Sequence, residues 1–525
     1  MLYQSTRGGG GKITPAEAIA LGLSEDGGLF VPESIPRLTV DMVVELAAKP
    51  YKERAAFIMG LFLDDFSAEE LSCYTSEAYC EPGFSHSGIA PLHKLDVNTH
   101  FLELWHGPTC AFKDMALQIL PRLLVASLRK TGEKRESCIL VATSGDTGKA
   151  ALEGFCDVPG TRIMVFYPRD GVSDVQKLQM TTQSGNNVSV VAVEGNFDDT
   201  QTGVKAIFSD VELRNELDQL GYFLSSANSI NWGRLVPQIA YYVSAYCDLI
   251  VQKEITVGDK INFCVPTGNF GNILAAWYAV KMGLPVNKLI CASNRNDVLT
   301  QFIDTGVYNK NRPFFATASP SMDILVSSNL ERLLFELSGK DGKAAAGYMS
   351  ALASAGYYEI PVSLRNEIIR VFAGGRCSEE DTMKTIAGTF DKYNYLIDTH
   401  TAVAYKVLGD YRMQFGDDTP TVVVSTASPF KFCDSVLNAL EKQGTNCISE
   451  STKGDGVELI DRLANTTGRE IPAPLSSLKS KQPRFLESVA PDGMKEAVRK
   501  FCIIIPLAPD TREYKKVVSF WRYTQ

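Results

Sequence analysis

Six short runs of apolar and β-branched residues, each leading into a loop and a helical pattern, constrain this chain more than any other feature. They are Cys138 to Ala142, Ile163 to Tyr167, Val188 to Val193, Ile261 to Val265, Lys288 to Ala292 and Thr421 to Ser425. Strands this short, separated by helices, imply βαβ units and a mostly parallel sheet covered on both faces. The runs fall in two groups, so two α/β domains are expected. Residues 1–95 read as a separate, helical block. It has a glycine run at Gly8 to Gly11, helical periodicity from Ala16 to Leu23, a turn at Asp26-Gly27-Gly28 and more helix from Val40 to Phe66. The expected division is 1–95 for this block, 115–235 for a smaller α/β domain, and 96–114 with 236–470 for a larger one. Pro472, Pro474 and Pro483 mark 471–483 as a surface linker, and the apolar content of Phe501 to Leu507 predicts a tail docked on the body. There is no internal repeat.

A chain of 525 residues is long enough for about three domains. Its formal charge of −9 gives no general attraction for nucleic acid or anionic membranes, so any anionic ligand must be held by a local site. No apolar run reaches the ~18 residues of a membrane span. With no signal-like N-terminus, the expected location is cytoplasmic. The 12 cysteines include no C-x-x-C pair and read as free, mostly buried thiols. The 5 histidines form no H-x-x-x-H or His/Cys cluster, so no metal site is expected.

In the stretch Glu103-Leu104-Trp105-His106-Gly107-Pro108-Thr109-Cys110-Ala111-Phe112-Lys113-Asp114, Lys113 follows a Gly-Pro turn and precedes an amphipathic run from Ala116 to Leu128. A lysine at a helix start faces the positive end of the dipole, which favours its neutral form, the form that attacks a carbonyl. Position alone favours a surface lysine with its stem on the helix.

Three loops bear on that choice. Gly268-Asn269-Phe270-Gly271-Asn272 follows a strand and opens the helix Ile273 to Lys281, where backbone N–H groups and the helix N-terminus make a phosphate cradle. It is not G-x-G-x-x-G, which disfavours a dinucleotide. Ser144-Gly145-Asp146-Thr147 has the same setting with added hydroxyls and suits a carboxylate; it reads equally as a capped helix start. Asn228, Ser229 and Arg234 offer an amide, a hydroxyl and a guanidinium, the last being the preferred bidentate partner of a phosphoryl group. Thr426 stands at the carboxyl end of a strand, where α/β sheets place ligands. Asp398-Thr399-His400 is similar but vaguer, and its histidine reads as structural. The runs at Gly8 to Lys12 and Thr143 to Lys149 both fail the P-loop pattern, which argues against a nucleotide-dependent kinase.

A lysine for a carbonyl, a loop for a phosphate, a loop for a carboxylate and a strand-end hydroxyl are what a pyridoxal phosphate enzyme needs. With Ser5-Thr6-Arg7-Gly8 and Asp26 to Pro32 added, the sequence closely resembles the threonine synthase family, in its longer enteric-bacterial and yeast subgroup, over nearly the whole chain. The resemblance implies the tryptophan-synthase-β-like fold, fold type II of the pyridoxal phosphate enzymes. It implies Lys113 as the lysine that holds the cofactor aldehyde, Gly268, Asn269, Phe270, Gly271 and Asn272 as its phosphate loop, and Thr426 as partner of its ring nitrogen. Ser144, Gly145, Asp146 and Thr147 would bind the substrate carboxylate, and Asn228, Ser229 and Arg234 the substrate phosphate. The implied activity is that of a carbon–oxygen lyase acting on phosphates. It turns O-phospho-L-homoserine and water into L-threonine and phosphate, the last step of threonine biosynthesis. A phospho-lyase of the same group, releasing 2-oxobutyrate, ammonia and phosphate, is the alternative. The expected protein is a monomer or homodimer acting on a small molecule.

Overall fold

The six expected strands all form, with ends within one or two residues of those read from the sequence, in a computed structural model that describes residues 1–441 and 456–504. In chain order the strands are β1 (Tyr3–Ser5), β2 (Phe30–Pro32), β3 (Leu92–Lys94), β4 (Thr99–Glu103), β5 (Glu136–Ala142), β6 (Thr161–Pro168), β7 (Val188–Val193) and β8 (Tyr222–Ser225). They continue with β9 (Ile261–Pro266), β10 (Val286–Ser293), β11 (Val307–Asn309), β12 (Tyr357–Glu359), β13 (Phe372–Arg376), β14 (Thr421–Ser425) and β15 (Ser488–Val489). A six-stranded sheet runs β13-β10-β9-β14-β4-β3 and is parallel except where edge strand β3 turns back on β4. A five-stranded, wholly parallel sheet runs β15-β7-β6-β5-β8.

Strand order decides where a ligand can enter. After β5 the helix Asp146–Phe155 leads to β6, whereas after β8, on the other side of β5, the helix Trp232–Val251 leads to the other sheet. The connections diverge, which leaves a crevice at the carboxyl ends of β5 and β8. In the larger sheet, β9 leads through the helix Gly271–Met282 to β10, and its neighbour β14 leads the other way. The loops singled out at 144–147, 228–234 and 268–272, with Thr426, lie at these two switch points.

The Trp232–Val251 helix is buried on every side from Trp232 to Cys247, as its nearly all-apolar sequence requires. Trp232 packs against Tyr3, Phe62 and Tyr278 at ring-centroid distances of 5.3, 5.7 and 5.3 Å, which joins the N-terminal block to the core.

Several expected elements differ. The 40–66 helical pattern is two helices, Val40–Ala47 and Tyr51–Gly60, because Pro50 starts the second. The Ala116 to Leu128 run is likewise two, Asp114–Leu117 and Leu120–Thr131, with Pro121 in the first turn of the second. The 471–483 stretch is more than a linker. Its turns Ala473–Ser476 and Ser477–Ser480 bury Leu475 and Leu478. The expected tail at 501–507 belongs to a helix, Met494–Ile504, that buries Phe501 and Cys502 beside Met164 and Val191 of the smaller sheet. Residues 505–507 lie outside the described residues.

Candidate active site

Lys113 closes the loop after β4. That loop is laced to the end of β14: Leu104 N–H donates to the Ser425 carbonyl at 3.0 Å and Phe112 N–H to the Thr426 carbonyl at 2.8 Å. Lys113 is only 8% exposed, and its Nζ donates to Asp146 Oδ2 at 3.2 Å and to Ser321 Oγ at 3.1 Å. Burial pulls its ammonium below the usual lysine range; Asp146 opposes that effect, and Lys431 and Arg234 reinforce it. The dipole expected to favour the neutral amine is slight, since the helix that begins at Asp114 has 4 residues. Desolvation does the same work more strongly.

Asp146 joins the two sheets. Its Oδ1 lies 2.7 Å from Lys431 Nζ and accepts Gln176 Nε2 at 2.8 Å. Burial alone would raise this carboxyl, but Lys113, Lys431 and Gln176 hold it well below the usual carboxylate range. Lys431 is 1% exposed and also donates to the Thr109 carbonyl at 2.9 Å. The Asp146 side chain is therefore a counter-ion, and the part expected of this loop toward a carboxylate, through hydroxyls and backbone amides, does not call on it. An ionised side chain already committed to two ammonium groups would repel a substrate carboxylate. Neither Ser144 nor Asp146 caps the helix. Gly145 stands at the cap, and Thr143 Oγ1 accepts the N–H of Gly145 at 3.0 Å and of Gly148 at 2.9 Å. Ser144 and Thr147 keep partial exposure beside Lys113's partner, and their hydroxyls are the loop's available donors.

The loop after β9 reaches the same place. Phe270 is left-handed, at φ 62°, a conformation that costs a non-glycine residue about 1–2 kcal/mol. Its ring is held against Phe372 at 5.6 Å. The turn so made presents the N-terminus of the 12-residue helix Gly271–Met282. At Gly268 a Cβ would sit 2.5 Å from the Ser321 carbonyl oxygen, so only glycine lets Ser321 approach. The Ser321 N–H donates to His400 Nε2 at 3.2 Å, and His400 Nδ1 lies 2.8 Å from Asp398 Oδ2. His400 is thus the structural histidine expected, braced behind Ser321.

Among the described residues, the buried donors without a partner in these loops include one amide and one guanidinium nitrogen. Asn272 accepts the hydroxyls of Tyr241 and Tyr242 on Oδ1, and its Nδ2 is free. Arg234 is 3% exposed and donates Nη1 to the Ala227 carbonyl at 2.7 Å, while its Nε is free. Burial brings this guanidinium down to about 10, still a cation at neutral pH. Ser229 is half-buried and Asn228 exposed. Thr426 is 6% exposed, at the end of β14.

Comparison with known proteins fits this arrangement. Residues 2–79 match the family described as threonine synthase N terminus, 86–427 pyridoxal-phosphate dependent enzyme, and 401–501 threonine synthase, C-terminal. Threonine synthase of Pseudomonas aeruginosa is 41% identical over 440 residues, 84% of this chain and 90% of that protein. The chain belongs to the threonine synthase family. It is also 43% identical over 450 residues, 83% of its length, to human threonine synthase-like 1, and it spans 59% of that protein. Pyridoxal-phosphate-bound threonine synthase from Brucella melitensis has the same fold, with a TM-score of 0.83 and 37% identity over 96% of this chain and 100% of that one.

The cofactor of this threonine synthase family member is pyridoxal phosphate, and the donors fit it. Lys113 supplies a buried amine, and the 268–272 loop supplies N–H groups and the unpaired Asn272 amide for a phosphate. Sequence reasoning missed Ser321, which lacks any patterned neighbours, and Lys431. A lysine between two phenylalanines, five residues past Thr426, was a readable sign of a buried charge. Gly268→Ala pushes on the Ser321 carbonyl, and overpacking of that kind costs about 1–3 kcal/mol. Cofactor titration of the apo protein should show affinity reduced about tenfold or more.

Proposed function

We propose that this chain converts O-phospho-L-homoserine and water to L-threonine and phosphate. One observation carries the reading: the buried Lys113 amine stands among the anion-ready loops at both switch points, within 3.2 Å of Asp146 and 3.1 Å of Ser321. When bound, pyridoxal phosphate supplies an electron-withdrawing ring that delocalises charge left on a substrate carbon. Lys113 holds its aldehyde, Gly268 to Asn272 hold its phosphate, and Thr426 offers a hydroxyl to its ring nitrogen. Freed when substrate binds, Lys113 takes the α-carbon proton at Nζ, a base kept competent by desolvation. Having passed that proton on, Lys113 takes a β-proton, phosphate departs from Cγ with the electrons of the C–O bond, and the protons so held are returned to Cγ and, with the addition of water, to the α-carbon. Water adds its hydroxyl at Cβ, and Cγ finishes as the methyl group. Ser144 and Thr147 orient the substrate carboxylate through their hydroxyls. Arg234, with Asn228 and Ser229, holds the substrate phosphate.

Among the described residues no helix is long and apolar enough to cross a membrane. We place the enzyme in the cytoplasm as a monomer or homodimer.

A second reading is a phospho-lyase of the same group. In that case the same residues release 2-oxobutyrate, ammonia and phosphate. Product analysis with O-phospho-L-homoserine decides: threonine is expected, and 2-oxobutyrate without threonine overturns the first reading. Arg234→Met removes a charged donor from the phosphate site. It should raise the KM for phosphohomoserine about tenfold to a hundredfold, with kcat less affected, in steady-state kinetics.

A further inference from the structure

A second buried guanidinium is left unused by these roles. Arg332, in the helix Leu330–Leu337, is 0% exposed. Its hydrogen bonds go to neutral acceptors: Nε to the Phe30 carbonyl at 3.0 Å, Nη1 to Asn329 Oδ1 at 2.5 Å and Nη2 to the Ile230 carbonyl at 2.5 Å. A buried cation with no carboxylate among its hydrogen-bond partners is costly. Its hydrogen bonds therefore point to something the fold requires in that place.

Those bonds fix the Asn329 amide. Arginine only donates, so Oδ1 must face it and Nδ2 must face the other way. There Nδ2 donates to the Asn269 carbonyl at 3.0 Å and reaches Ser229 Oγ at 3.5 Å, and the Asn329 N–H donates to the same Asn269 carbonyl at 3.1 Å. Turning that carbonyl outward leaves the N–H groups of the 268–272 loop to face the ligand. Through the Ile230 carbonyl the same guanidinium grips the 228–234 loop. Behind the pair, Glu331 accepts Arg7 Nε and Nη2 at 2.9 Å each and Thr6 Oγ1 at 2.6 Å.

We propose that Arg332 and Asn329 are positioning residues that hold the two phosphate-binding loops in register, with Arg7 and Glu331 anchoring them to the N-terminal block. The N-terminal block then governs phosphate recognition without touching either phosphate. This rests on the loop roles given under Proposed function.

The test titrates apo protein with pyridoxal phosphate and with pyridoxal, which lacks the phosphate. Wild type should favour the phosphorylated form; equal affinity for the two would sink the loop assignment itself and leave the positioning idea without a site. Asn329→Ala should weaken pyridoxal phosphate about tenfold and leave pyridoxal within about twofold. It should also raise the KM for phosphohomoserine more than it lowers kcat. Arg7→Met acts from the far side at a partly exposed residue, which guards against a folding failure. It should shift the same ratio in the same direction by less. Unchanged affinity for pyridoxal phosphate in both variants, or equal losses for both ligands, overturns the proposal.

Discussion

Lys113→Ala is expected to lose threonine formation by at least about 10³-fold while the protein stays folded. The amine is both the proposed attachment point for the cofactor and the proposed base, and no neighbour replaces it. Lys431 is the next ammonium group, and its Nζ is tied to Asp146 Oδ1 at 2.7 Å and to the Thr109 carbonyl at 2.9 Å. The fold tolerates the change because Asp146 keeps Lys431 and Gln176 as partners, so no buried charge is stranded. The melting temperature of the apo protein should move by no more than about 4 °C. Product assay, thermal melting and borohydride labelling with peptide mapping test it together. Turnover within tenfold of wild type, or label on another lysine, removes Lys113 from its role.

The parallel sheets were legible because their strands are buried on both faces and so read as unbroken apolar runs, as in Cys138 to Ala142 and Thr421 to Ser425. Strands without that signature were not legible. β4 begins Thr99-His100, β8 is only four residues long, and β13 contains Gly374-Gly375, which carry no β propensity. Gly375 is there for space, since a Cβ would meet Val407 Cγ1 at 2.4 Å. Helix ends went astray where a proline restarts a helix in the middle of an apolar pattern, at Pro50 and Pro121.

The site divides the same way. Loops that follow a strand and open a helix announce themselves by glycine and hydroxyl residues, so the loops carrying Lys113, 144–147, 268–272 and Thr426 could be located from sequence as candidates. Residues that act by long-range contact could not. Ser321 is 208 positions from Lys113, and Asn329 is 100 positions from Ser229. Asp146 was named as part of a carboxylate loop, with no partner given for its side chain. Only the fold places Lys431 opposite it, and that pairing turns a capping-type aspartate into a counter-ion.

That counter-ion arrangement predicts opposite effects from two substitutions. In apo protein Lys113 reacts with an amine reagent only when neutral, so its labelling rate rises with pH through its own ionisation. Asp146 favours the protonated amine, and Lys431 disfavours it. Asp146→Asn removes the carboxylate 3.2 Å from Nζ, so labelling should begin at lower pH than in wild type. Lys431→Met removes a repelling cation and leaves Asp146 to pair with Lys113 alone, so labelling should begin at higher pH. Charges this close shift an ionisation by about 1 to 3 pH units. Each displacement should be of that order, measured by mass spectrometry of the Lys113 peptide across a pH series. Loss of packing alone would expose the lysine and move both variants toward ordinary lysine behaviour, to higher pH. A shift of Asp146→Asn to higher pH would therefore refute the counter-ion role of Asp146, whatever Lys431→Met does.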